Sequence, residues 1–286
     1  METVRNRSLS DIPSIFSKFA RVPIGVKKHY YYKSAALFTQ ARKWAMGRRE
    51  FLKRLPWWIR AKVRPDHQEI LMLVERASQI VGEGALVLDA GAGEGQYKNL
   101  FSHTRYIALD FAKGDPTWDY SRLDIIGDLV RMPLADGVFE AVICTQVLEH
   151  VSEPRLVVEE ISRVLRIGGH LFVSAPQWWF QHQKPYDYYR YTSFGLRYLF
   201  EQSGFEVKFI KPIGGYFWFL SVVLQAIHIH LFPESGPLWW RWISYIPRRL
   251  IQLLFWSIVP LCLFYIDRLD KNQDFTLGYV CHCVKQ

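Results

Sequence analysis

The sequence predicts an α/β fold, a mostly parallel sheet with helices on both faces, and three observations carry that expectation. Apolar runs of strand length alternate with amphipathic stretches of helical period from residue 67 to residue 211. The first such run, ALVLDAGAGEG over residues 85–95, breaks into a glycine-rich turn, where a backbone can approach a ligand closely. Half of the 286 residues are hydrophobic and 22% are charged, which excludes disordered and fibrous classes. The length suits one large domain or two small ones.

In chain order, residues 1–66 read as an irregular basic arm, with 16 Lys/Arg against 4 Asp/Glu, while the rest of the chain is slightly acidic. Within the arm, residues 34–55 place Leu37, Ala41, Trp44 and Ala45 at helical spacing with Arg and Lys between them. This is a basic amphipathic helix, ended by Pro56. A second helical signal, Ile70, Leu73, Val74, Ala77 and Ile80, covers residues 67–80. After the first strand and its turn, QYKNLF reads as helical. Further strands are YIALD (106–110), VFEAVIC (138–144), GGHLFVSAP (168–176), FEVKFIK (205–211) and FTLGYVCHCVK (275–285). Residues 153–165 form an amphipathic helix with Ser152 as its cap, and residues 193–203 form another, closed by Gly204.

Residues 212–268 break the alternation. The chain is uncharged from Pro212 to Pro233 and again over LIQLLFWSIVPLCLFYI, residues 250–266, with Trp239, Trp240, Arg241, Trp242, Arg248 and Arg249 between. A 17-residue apolar helix spans about 25 Å, just short of a hydrocarbon core. Both ends return to one sheet, so the segment crosses a membrane twice or not at all. His228, His230, Gln252 and Pro260 weaken a full span, and the Trp/Arg cluster suits an interface. The expectation is a monotopic or re-entrant hairpin, helped by the basic arm's attraction to anionic lipid. An apolar cap over the active site or a dimer interface is the alternative.

The four cysteines form no disulfide framework and show no metal-ligand spacing, so no metal is expected. The first residues, METVRNRSLS, lack the apolar run of a secretory signal. The reading is a reducing cytosol, with the protein on the cytoplasmic face of a membrane.

The chemistry concentrates at Asp89-Ala-Gly91-Ala-Gly93-Glu-Gly95. The pattern D-x-G-x-G-x-G differs from the dinucleotide fingerprint, which aims a helix N-terminus at a pyrophosphate. An anionic Asp89 instead suits a ligand that is positively charged there. Asp110 ends the next strand, where a carboxylate accepts hydrogen bonds from both ribose hydroxyls. Asp128, in Gly127-Asp128-Leu129, is placed to receive an exocyclic amine.

In order, VLDAGAGEG, YIALD, GDLVRMPLADGVFEAVIC, VLEHV and LRIGGHLFVSAP resemble the class I S-adenosylmethionine-dependent methyltransferases, closest to their type 11 small-molecule branch. The resemblance covers residues 67–211 and the last strand, 275–285. It implies a Rossmann-like, doubly wound seven-stranded sheet with the apolar helical insertion before the last strand. The methyltransferase domain would be residues 67–211 plus 269–286. The cofactor implied is S-adenosylmethionine: Gly91, Gly93 and Gly95 around its methionine and ribose, Asp89 on the ammonium, Asp110 on the ribose, Asp128 and Leu129 at the adenine, Thr145 and Gln146 near the sulfonium. Glu140 stands where the family usually has Asp, and His170 lies inside the fifth strand.

Residues 185–205 more loosely resemble methyltransferases of polysaccharide and lipid biosynthesis. His182, Tyr186, Asp187, Tyr188, Arg190 and Tyr191 follow the fifth strand, on the side where such folds bind ligands, and are the acceptor-binding candidates. His150 is the candidate general base; a packing role for it is the alternative. The expected function is methyl transfer to a small, glycan or lipid-linked acceptor, at oxygen by analogy. Competing readings are an RNA methyltransferase gripping phosphates with the basic arm, against which no RNA-binding module is found, and a catalytically silent, membrane-anchored cofactor-binding module.

Overall fold

Residues 51–114, 117–225, 238–243 and 245–286 are described by a computed structural model. Helices α1 (Trp57–Val63) and α2 (Pro65–Ile80) lead into strand β1 (Leu86–Ala90). Then follow β2 (Arg105–Asp110), β3 (Ile125–Ile126), β4 (Phe139–Thr145), α3 (Pro154–Val164), β5 (Leu165–Pro176), α4 (Ser193–Gln202) and β6 (Phe205–Pro212). Helices α5 (Tyr216–Gln225), α6 (Leu238–Ile243), α7 (Tyr245–Leu253) and α8 (Val259–Ile266) precede the last strand, β7 (Gly278–Lys285).

The strands form one seven-stranded sheet in the order β3-β2-β1-β4-β5-β7-β6. The first five are parallel to their neighbours, and β7 runs antiparallel to both β5 and β6. Strands buried on both faces explain the continuous apolar runs of the sequence. Leu88 and Val142 face a core built with Val157, Ile161, Leu196 and Phe200. Their neighbours Val87 and Ile143 face the other core, with Leu73, Val74 and Phe101. Helix α2 therefore covers one face, and α3 and α4 the other, as a doubly wound sheet requires.

Four local expectations change. The sheet's two-residue edge strand, β3, has too short an apolar run to show in the sequence. QYKNLF forms only a 3-10 turn, Lys98–Phe101; β2 starts at Arg105, and a 3-10 turn covers more distance per residue than an α-helix. Helix α3 is capped by Glu153 without a side-chain hydrogen bond. Pro154 in its first turn removes a donor instead, so Ser152 has no capping duty. Finally, the basic arm is not irregular as far as residue 66. Leu52 and Val63 are buried, Phe51 packs edge-on against Trp256, and Lys62 Nζ donates to the Tyr265 hydroxyl at 2.5 Å. The amphipathic helix expected over residues 34–55 lies mostly outside the described residues.

Between β6 and β7, the start of α5 is tied to the end of α8. Asp267 accepts hydrogen bonds from Gly215 N at 2.9 Å and Trp218 N at 3.0 Å, capping α5 from a distant point in the chain. Trp218 stacks on Phe264, and Trp256 Nε1 donates to the Gln225 carbonyl, so α5 and the α8 segment run side by side. Residues Leu254–Ile258 form a π-helical turn just before Pro260, which has no N–H to give to an i−4 carbonyl. The run Tyr245–Leu269 is long and apolar enough to cross a membrane by length and composition, and 22% of its most apolar stretch is buried.

Candidate active site

All parallel strands deliver their carboxyl ends to one edge, and the residues singled out by sequence gather there. After β1 the chain turns through Gly91, Gly93 and Gly95, with φ of 87°, 54° and 65°. At Gly91 a side chain is doubly excluded: the φ is left-handed, and a Cβ would lie 2.4 Å from Val147 Cγ2. The glycine turn is thus pressed against the loop that follows β4. Asp110, at the tip of β2, holds the turn by accepting from Gly93 N at 2.9 Å and from Ala112 N at 2.7 Å.

Asp89 is 1% exposed. It accepts a hydrogen bond from the Tyr106 hydroxyl on one oxygen, and the other has no partner among the described residues. Burial pushes its carboxyl up to about 7, against the pull of the Tyr106 bond, with the Asp110 charge adding to the rise. A buried acceptor without a partner is costly unless something else pairs with it. A cationic ligand group beside the glycine turn would do so, and these residues therefore fit S-adenosylmethionine.

Trp118 and Tyr120 were not singled out by sequence. The Trp118 ring lies over the glycine turn, 3.4 Å from where a Cβ on Gly93 would stand, and the Tyr120 hydroxyl accepts from Gly114 N. Their signal was an aromatic pair just after Asp110, with no regular spacing to mark it. Asp128 is exposed, and its Oδ1 accepts from Val130 N in a local turn. Leu129 points into the core, so any adenine contact there falls to backbone. Thr145 lies 3.4 Å from the Tyr97 hydroxyl. Gln146, at φ 55°, is exposed, with its side-chain amide on Ser174 Oγ.

The acceptor candidates divide. Arg190 directs its donors inward, to Asp187 at 2.7 and 3.1 Å and to the carbonyls of Trp179, Phe180 and Tyr189. Tyr191 donates to the Leu148 carbonyl at 2.8 Å. Both brace the loop through these bonds. Tyr186 and Tyr188 are exposed at the edge, and His182 stands against His150 with ring centroids 4.5 Å apart.

Glu149 was passed over as a neighbour of His150, yet it is wholly buried with both carboxylate oxygens unpartnered among the described residues. Burial pushes its carboxyl up to about 8 and pushes the His150 imidazole below its ordinary value. The two approach to 3.9 Å, but burial favours the neutral form of each, so they do not make an ion pair. Nothing in the spacing of residues 149, 150 and 182 showed that the fold would gather them.

The sheet order, the glycine turn and the carboxylates at the ends of β1 and β2 define a Rossmann-like domain for a nucleoside-bearing cofactor. Residues 88–173 match the family model described as a methyltransferase domain. A protein of Mycolicibacterium smegmatis named as a probable S-adenosylmethionine-dependent methyltransferase is 38% identical over 99 residues, 32% of this chain and 38% of its own length. A demethylmenaquinone methyltransferase of Renibacterium salmoninarum is 30% identical over 111 residues, 36% of this chain and 45% of that one. A ubiquinone biosynthesis O-methyltransferase of Marinobacter nauticus is 41% identical over 56 residues, 20% of this chain and 23% of that one. Among solved structures the cyclase SpnF has a TM-score of 0.46 at 18% identity, covering 81% of this chain and 83% of that one. Residues 88–173 therefore carry a methyltransferase domain of the S-adenosylmethionine-dependent kind. The chain spans less than half the length of the curated relatives named here.

Proposed function

We propose that the protein transfers a methyl group from S-adenosylmethionine to a small or lipid-linked acceptor, at oxygen, on the cytoplasmic surface of a membrane. The observation that carries the cofactor part is the unpaired Asp89 oxygen beside a glycine turn that Asp110 holds in place. When bound, the cofactor supplies an already activated methyl group. The chain's own work is to hold donor and acceptor in line and to exclude water. Asp89 pairs with the ammonium, Asp110 receives the ribose hydroxyls, and Trp118 covers the turn. His182, Tyr186 and Tyr188 face the acceptor, and His150 is placed to take its proton.

The membrane part rests on the apolar face of the insertion. Trp242 is 81% exposed, and Ile246, Leu250 and Ile258 are also solvent-facing. Relatives named as a demethylmenaquinone methyltransferase and a ubiquinone biosynthesis O-methyltransferase are compatible with this reading.

Calorimetric titration with S-adenosylmethionine, with Asp110→Ala alongside, tests the cofactor part. We expect micromolar binding that the variant loses; no binding by a folded wild type defeats the reading and favours the silent anchoring module. Flotation with anionic lipid vesicles tests the membrane part. Recovery with the lipid should fall in Trp242→Ser/Leu250→Ser. A wild type that stays at the bottom of the gradient overturns it.

A further inference from the structure

The loop after β5 folds back over the short 3-10 turn Leu148–His150 that follows β4. Tyr188 N and Tyr189 N both donate to the Glu149 carbonyl, at 2.8 and 3.3 Å. This strap brings His182 to His150 and Glu149, so that one ligand atom from each of the three lies within 4.8 Å of the other two. Both Glu149 oxygens and His150 Nε2 are buried and have no partner among the described residues.

The two imidazoles are oriented in the same way. His150 Nδ1 meets the Tyr186 carbonyl at 2.5 Å, and His182 Nδ1 meets the Phe180 carbonyl at 3.0 Å. A carbonyl accepts only from an N–H, so each neutral ring carries its proton on Nδ1 and presents a bare Nε2. A backbone carbonyl behind each imidazole is the usual support of a metal-ligating histidine. The Arg190 charge reaches Glu149 but is opposed by Asp187, its ion-pair partner at 2.7 Å.

We propose that Glu149, His150 and His182 bind one divalent metal ion of the zinc class, through the carboxylate and the two Nε2 atoms. Two imidazoles and one carboxylate suit zinc, which takes three protein ligands in open sites and leaves a fourth position for an oxygen ligand. That position opens past His182, whose side chain is 31% exposed, whereas those of His150 and Glu149 are 12% and 0% exposed. The ligand atoms lie within 4.8 Å of one another, and a bound ion would draw them closer together. The site stands on this geometry and does not depend on methyl transfer; with its proton on Nδ1 and a metal on Nε2, His150 has no lone pair left to act as a base, so zinc uptake takes that role from it.

The test is zinc uptake by the full chain after chelator stripping, read by calorimetry, with cobalt(II) absorption reporting tetrahedral coordination. We expect one zinc per chain, and affinity at least tenfold weaker in both Glu149→Gln and His182→Ala. The first variant preserves shape in the core and the second alters only a half-exposed loop residue; a cooperative thermal melt checks each fold. A wild type that takes up no stoichiometric zinc overturns the site. Uptake by both variants equal to that of the wild type does so as well, because the metal would then sit elsewhere.

Discussion

The Tyr106 hydroxyl donates a hydrogen bond to the buried Asp89 carboxylate, joining the start of β2 to the carboxyl end of β1. It satisfies one oxygen and leaves the other for a ligand. The strain of that arrangement in the ligand-free protein has measurable consequences.

Asp89 is raised from 3.8 to about 7 by burial. Between those values the folded state holds a proton that the unfolded state has released, so this group's contribution to stability falls as pH rises from about 4 to about 7. Asp89→Asn removes the loss. Without ligand, we expect the variant to gain on the wild type across this window by on the order of a few kcal/mol, while its S-adenosylmethionine affinity drops about 100-fold, the equivalent of ~2.7 kcal/mol. Thermal melts from pH 4 to 8 check the first expectation. A difference between the two proteins that stays flat with pH would show that Asp89 is not raised.

His282 carries the opposite slope. It stacks on Phe172 with centroids 4.4 Å apart and sits 3.1 Å from His170 Nδ1. Burial, with His170, Arg76 and Lys208 nearby, pushes it down to about 4. Below its ordinary value near 6.5 the unfolded chain binds a proton that the folded chain refuses, so stability falls as pH drops from about 6.5 to about 4. His282→Phe should flatten this acid limb in the same melts. An unchanged limb relative to wild type would count against the shift.

Gly91→Ala meets both a φ of 87° and Val147 Cγ2 at 2.4 Å. The left-handed backbone costs about 1–2 kcal/mol and the overlap about 1–3 kcal/mol more. In a double-mutant cycle, Val147→Ala should recover the steric part and leave the backbone part. Urea unfolding of the four proteins reads the coupling; strict additivity would mean that the two residues do not press on each other.

Asp267→Ala removes the acceptor for Gly215 N and Trp218 N. Loss of this cap should cost about 1–2 kcal/mol and loosen α5 from the α8 segment. Limited proteolysis should then cut within residues 212–268 faster than in the wild type, whereas Asp267→Asn, which keeps one oxygen acceptor, should cut more slowly than the alanine variant. Equal cutting rates for wild type and alanine variant would remove Asp267 from this role.

Much of the fold was legible because its signals are local. Apolar runs long enough for a buried strand marked β1, β2, β4, β5, β6 and β7, and only the two residues of β3 were too few to register. Glycines before a helical stretch marked the turn, though the chain between Gly95 and Arg105 proved too short for the expected helix. Of the site, Asp89, Gly91 and Asp110 were legible because each stands at a strand end. Arg190 and Tyr191 hydrogen-bond to the carbonyls of Trp179, Phe180 and Leu148, an arrangement that spacing does not reveal.

The order of residues along the chain was enough to read the class of fold, the glycine turn and the two carboxylates beside it. Periodicity and glycine conformation act over a few residues, and a linear reading captures them. The tertiary structure alone decided that Glu149 is buried without a partner, that His182 stands beside His150, and that Asp267 caps α5. Burial and pairing between distant residues depend on which surfaces the whole chain brings together, and no local pattern encodes them.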